Sequence, residues 1–265
     1  MTDDHDSTDS TETTTDATAT PDGGERPLAV VLVSGGMDSA TAVAEAIDRG
    51  YDPLFLHTSY GQRTENREAE CARLLAEEFD AVDTLHVETD HLARIGASSL
   101  TDDAMDVDDA ELGGEDGDSE TDDEDEEEIP NTYVPFRNAN LLSMAVSYAE
   151  AQEAEAVFVG AHSEDYAGYP DCRPEFFEAF ERVVEVGTRP ETLISVEAPF
   201  VEWSKTDIVE RGTELDVPFE HTWSCYRDEQ PACGTCDSCA YRLQAFQQAG
   251  ERDPIEYAER PNYVD

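Results

Sequence analysis

Five short apolar runs, each followed by a stretch of helical period, recur between residues 27 and 212 and leave few architectures open. Pro27 to Val33 (PLAVVLV) is apolar throughout, as a strand buried on both faces requires. Asp38 to Arg49 then carries Ala, Val and Ile at helical spacing, and Gly50 stops it. The alternation continues with strands over Leu54–Thr58, Val82–Val87, Ala156–Gly160 and Leu193–Val196. Helices are expected over Glu65–Phe79, Asn138–Gln152, Glu175–Val186 and Thr206–Gly212. Repeated βα units imply an α/β fold, a parallel sheet flanked by helices on both faces. Ligands of such sheets bind beyond the carboxyl ends of the strands.

The segment joining the first strand to the first helix is SGGMDS, Ser34 to Ser39. Gly35 and Gly36 let the backbone turn tightly and approach a ligand closely. The helix behind them offers free N–H groups and a positive dipole end, and Ser34 and Ser39 add hydroxyls. Together they suit a phosphate or pyrophosphate. Asp38 has two readings: a cap on the helix, or a ligand to Mg²⁺ beside the phosphates.

Near the C-terminus stands Cys225-x7-Cys233-x2-Cys236-x2-Cys239. Four thiolates suit tetrahedral Zn²⁺ and leave no position open for water, which points to a structural metal. Redox chemistry at a CxxC is the rival reading. Tyr241–Gln248 has helical spacing and is expected to dock this knuckle on the rest. Cys71 and Cys172 lie apart and read as small buried thiols. His57, His86, His91, His162 and His221 show no ligand spacing and read as ordinary surface or core residues.

SGGMDS resembles the pyrophosphate loop of the PP-loop ATPases, and it lacks the GK[ST] ending of a Walker A loop. Further pieces, in order, are YGQR (60–63), YVPFRN (133–138), DYAGYPDCRPEF (165–176), WSKTDI (203–208) and TWSCY…CGTCDSC. With SGGMDS they run from Ser34 to Cys239 and resemble one branch of that family. Its members turn 7-carboxy-7-deazaguanine into the nitrile in the queuosine and archaeosine pathways. One departure is Phe136, where that branch often has Gly.

The resemblance implies an adenine-nucleotide α-hydrolase-like, Rossmann-like domain and C–N ligase chemistry in two stages. ATP would adenylate the substrate carboxylate, ammonia would displace AMP, and a second ATP would activate the amide for loss of its oxygen. It implies ATP held by Ser34, Gly35, Gly36, Met37, Asp38 and Ser39, with Mg²⁺. Asp38, Arg137 and Lys205 would serve catalysis, and Tyr166, Tyr169, Asp171 and Arg173 would line the base pocket. It also implies a homodimer. Two relatives remain as alternatives, a tRNA-modifying PP-loop enzyme and an ammonia-dependent synthetase that stops at the amide. A zinc-knuckle binding module without turnover is the reading from another class.

Charge bears on the alternatives. Acidic residues number 64 against 16 basic ones, a formal net charge of -48. Such a chain repels itself in dilute buffer, and molar salt screens the repulsion. The acid is spread along the whole chain, which favours a halophilic cytoplasm over an acidic surface for basic partners. No Lys/Arg patch is visible for nucleic acid. No export signal and no apolar run of membrane-spanning length is visible either. Residues 1–26 read as a disordered acidic tail, and 101–128 as an acidic loop inserted in the 27–220 nucleotide-binding domain. Residues 221–265 read as the zinc-binding segment. Lys205 is the one lysine among the 16 basic residues, which sets it apart from a generic surface charge.

Overall fold

The apolar runs form the strands of one sheet. The computed structural model describes residues 26–96, 98–101, 105–107, 109–110, 129, 131–163 and 169–264. Within them β1 (Leu28–Leu32), β2 (Asp52–Ser59), β3 (Asp83–Glu88), β4 (Ala156–Phe158) and β5 (Ser195–Glu197) lie in the order β3-β2-β1-β4-β5. Every pairing is parallel. The acidic tail expected over 1–26, save its last residue, and most of the insertion expected over 101–128 lie outside the described residues. No helix among the described residues is long and apolar enough to cross a membrane.

Alternation along β1 explains the layering. Ala29 and Val31 face one side with Phe55, Phe158, α1 (Met37–Asp48) and part of α2 (Glu65–Glu78). Val30 and Leu32 face the other, against Leu142, Ala145 and Tyr148 of α4 (Arg137–Gln152) and Phe177 and Val184 of α5 (Pro174–Gly187). A strand buried on both faces has no polar alternation, and burying each such side chain stabilises the fold by about 1.5–3 kcal/mol. Two more helices, α6 (Lys205–Glu214) and α7 (Asp237–Gln248), join the first layer through Ile208, Val209, Ala245 and Phe246. The short α3 (Asp90–Ile95) follows β3 and has no counterpart in the sequence expectations. α7 starts at Asp237, four residues before the expected Tyr241, because its N-cap is Cys236 itself.

This topology positions the site. The chain lays β1, β2 and β3 outward in one direction, then returns to add β4 on the free side of β1. Strand order therefore reverses between β1 and β4, and the loops leaving their carboxyl ends diverge to leave a crevice. SGGMDS leaves β1 there, and Gly160–His162 follows β4. β4 ends at Phe158, two residues short of the expected Gly160. A Cβ on Gly160 would stand 2.8 Å from the Asp38 carbonyl oxygen, so only glycine lets this loop lie against the start of α1.

Candidate active site

The crevice holds a cavity of about 240 Å³ lined by the β1 and β4 loops, the 60–64 segment, the start of α4, Lys205 and residues 223–226. In the β1 loop Gly35 has φ +90°, and a Cβ there would meet the Glu68 carbonyl at 2.6 Å. Gly36 is the N-cap of α1 and no side chain caps that terminus. The N–H groups of the first turn are thus left to the cavity. The Ser34 hydroxyl accepts from the Gly36 N–H at 3.2 Å and lies 3.2 Å from the Ser39 hydroxyl. Met37 turns its side chain into the core, where it is 1% exposed, so only its backbone can reach a ligand.

Asp38 does not cap the helix. Its Oδ2 accepts from Lys205 Nζ at 3.3 Å and lies 3.8 Å from His162 Nε2. Its Oδ1 is buried without a hydrogen-bond partner among the described residues. Burial pushes this carboxyl up, but the charges of Lys205 and His162 outweigh it and hold it below its ordinary value. Lys205 is the first residue of α6, fixed by a capping box between Ser204 and Asp207. The chain's single lysine is thus 13% exposed and lines the cavity. His162, expected to be an ordinary residue, is 2% exposed, lines the same cavity and faces Asp38. Its place after a buried strand was the available signal, since that is where ligand loops lie.

Across the cavity stands Arg137, the first residue of α4. Its guanidinium donates to the Tyr60 hydroxyl at 3.2 Å and lies 5.9 Å from that ring's centre. No carboxylate lies within ion-pair distance of it among the described residues. Phe136, just before it, sits in the left-handed region at φ 57°, the backbone glycine adopts freely. Its ring is 61% exposed and packs edge-on with Phe176 instead of filling the cavity. Beside Arg137, Glu68 accepts from the Thr64 hydroxyl at 2.7 Å and the Gln62 amide at 3.0 Å. Burial pushes the Glu68 carboxyl up against the pull of these two donors.

Of the four expected base-pocket residues, Tyr169, Asp171 and Arg173 take places outside the cavity lining. Asp171 is 4% exposed, and its Oδ2 accepts the Asn138 N–H at 2.8 Å in the first turn of α4. Its carboxylate therefore anchors the helix that presents Arg137. Tyr169 bonds the Thr132 hydroxyl at 2.7 Å and packs 5.9 Å from the Tyr133 ring. Arg173 precedes α5 as its N-cap. None of these three lines the cavity, whereas Cys172 between them does and accepts from the Asn138 amide at 3.0 Å. Tyr166 lies outside the described residues.

The four clustered cysteines come together as a metal site would need. Their sulfurs all lie within 4.8 Å of one another. Cys233 Sγ and Cys239 Sγ are 3.8 Å apart, the edge of a tetrahedron with metal–sulfur bonds of about 2.3 Å. Backbone N–H groups of Arg227, Asp228 and Cys233 point at Cys225 Sγ at 3.4 Å, as donors to a thiolate do. Cys71 stays apart, its thiol pushed up to about 11 by burial. The strip leading into the cluster forms a cavity wall: the Trp223 N–H donates to the Gly35 carbonyl at 2.8 Å, and the Thr64 hydroxyl to the Cys225 carbonyl at 3.3 Å.

Against known proteins, the family model described as "Queuosine biosynthesis protein QueC" matches residues 28–250. A 7-cyano-7-deazaguanine synthase of Haloarcula marismortui is 68% identical over 238 residues, covering 89% of this chain and 97% of that protein. One of Halobacterium salinarum is 66% identical over 236 residues, with 89% and 98% covered. One of Methanoculleus marisnigri is 54% identical over 229 residues, with 86% and 98% covered.

Proposed function

Because the chain belongs to the QueC family of queuosine biosynthesis proteins, we propose that its cavity joins 7-carboxy-7-deazaguanine, ammonia and ATP to make 7-cyano-7-deazaguanine. The observation that carries this reading is the pairing of two anion sites in one cavity. One is the uncapped start of α1 beside Lys205; the other is the Arg137 guanidinium, which pairs with no carboxylate among the described residues. A phosphate chain and a substrate carboxylate need such a pair.

In the first stage a substrate carboxylate oxygen attacks the α-phosphorus of ATP and pyrophosphate leaves. Ser34, Ser39 and the free N–H groups of the first turn of α1 hold the phosphates, and Lys205 neutralises charge that builds on them. The free Oδ1 of Asp38 is the atom suited to Mg²⁺ on the nucleotide. Arg137 orients the carboxylate by its planar fork. Ammonia then attacks the acyl carbon, AMP leaves with one carboxylate oxygen, and the amide forms. A second ATP takes the amide oxygen in the same way, and loss of that AMP leaves the nitrile. Trp223 and Tyr226 line the cavity beside the loop and keep water from the adenylates. Tyr169, Asp171 and Arg173 serve by fixing the segment behind α4. The four cysteines would hold one Zn²⁺, which would tie the neighbouring 223–226 wall in place as a structural ion outside the reaction.

Substrate labelled with ¹⁸O in both carboxylate positions tests this directly. Two AMP molecules per nitrile, each carrying one ¹⁸O, are expected. Label appearing in phosphate or pyrophosphate instead would exclude adenylation.

A further inference from the structure

A guanine-type ring presents two adjacent donors, N1–H and the 2-amino group, and calls for an acceptor with two oxygens. Among the described residues two carboxylates line the cavity, Asp38 and Glu68. Asp38 is committed to Lys205. Asp171, the acceptor expected from the sequence, anchors α4 and does not line the cavity. Glu68 remains, and among the described residues it forms no ion pair. Two hydrogen bonds and the nearby Arg137 charge compensate its burial only in part, so its position is one that a ligand's donors would complete.

The local structure prepares it for that task. α2 carries Glu68 one turn in from its start, and the Thr64 hydroxyl and Gln62 amide each donate to one of its oxygens. A carboxylate accepts about four hydrogen bonds, so each oxygen keeps capacity for a ligand. Gln62 is itself fixed, its Oε1 accepting the Tyr60 N–H at 2.8 Å. Tyr60, Leu100 and Tyr226 pack together and line the same cavity, a flat apolar wall for a ring.

We propose that Glu68, held by Thr64 and Gln62, accepts the N1–H and 2-amino hydrogens of the base and makes the enzyme specific for a guanine-type ring. The proposal rests on the functional reading above. It is tested by comparing 7-carboxy-7-deazaguanine with 7-carboxy-7-deazahypoxanthine, which lacks the 2-amino group, in wild type and Glu68→Gln. AMP formation is the readout, with KM for ATP measured alongside. Wild type is expected to favour the amino substrate by roughly 10- to 100-fold in kcat/KM, the effect of hydrogen bonds to a buried charge. Glu68→Gln is expected to lose most of that preference while KM for ATP stays within about 3-fold. A variant that keeps the wild-type preference, or whose KM for ATP rises as steeply as its kcat/KM falls, overturns the proposal. So does a wild type that uses both substrates equally, a result that needs no variant and leaves the synthase reading intact. A wild type that makes no AMP from either substrate overturns the synthase reading, and this proposal with it.

Discussion

Lys205 Nζ stands 3.3 Å from the Asp38 carboxylate, and that one contact carries both catalytic and pH consequences. Lys205→Met is expected to lower kcat/KM roughly 10²- to 10³-fold, the effect of losing one charge from a desolvated phosphate site. The same variant tests Asp38. In the wild type, burial is outweighed and Asp38 titrates below its unfolded value, so its contribution to stability is present above the unfolded pKa. That contribution is lost as pH falls through the lower, folded value. Without Lys205 burial dominates, the folded pKa rises, and the variant loses stability relative to wild type as pH increases from about 4 to 7. Thermal melts across that range check the sign; parallel pH curves would contradict it. Composition pointed to Lys205 because a chain that has shed all other lysines keeps this one. It could not point to Glu68 over Asp171. Which polar side chain of a helix or loop faces a cavity depends on tertiary packing, which no local pattern around either residue records. His162 was hidden for the same reason, having no ligand spacing to mark it.

α7 shows what elements add beyond residues. Its Arg242 is 1% exposed and forms a two-pronged pair with the 0% exposed Asp253, at 2.8 and 3.0 Å. The remaining donors reach the Phe219 carbonyl, Thr222 and Ser224, next to the strip that bonds the phosphate loop. Removing one partner strands a buried charge, so Arg242→Met is expected to destabilise the protein by about 3–5 kcal/mol. The double variant Arg242→Met/Asp253→Leu should recover much of that loss. Denaturation midpoints in molar KCl measure both; a double variant no better than the single one would show that packing, not charge, is at stake. The strands and most helices were legible because their signal is local, a period of two or 3.6 within one segment. β1 shows this most plainly, its unbroken apolar run matching burial on both faces. The Arg242–Asp253 pair was not legible, since nothing in a helical pattern tells an inward arginine from an outward one.

At the scale of the whole molecule, a net charge of -48 on 265 residues sets the conditions under which any of this operates. The composition fits the Haloarcula and Halobacterium sources of the relatives. Repulsion reaches about 10 Å in 0.1 M salt and about 3 Å at 1 M. The unfolding midpoint is therefore expected to fall steeply as KCl drops from about 2 M to 0.1 M, the range over which screening is lost. A midpoint indifferent to salt, followed by circular dichroism, would show that the acid is locally compensated. Screening also fixes the conditions for the most direct test of the synthase chemistry. In molar KCl the purified protein would receive 7-carboxy-7-deazaguanine, ATP, Mg²⁺ and ¹⁵N-ammonium, with products read by mass spectrometry. A nitrile carrying one ¹⁵N, formed with two AMP per molecule, is the expected result. Accumulation of the ¹⁵N-amide with one AMP and no nitrile, from folded protein with ATP in excess, would contradict it.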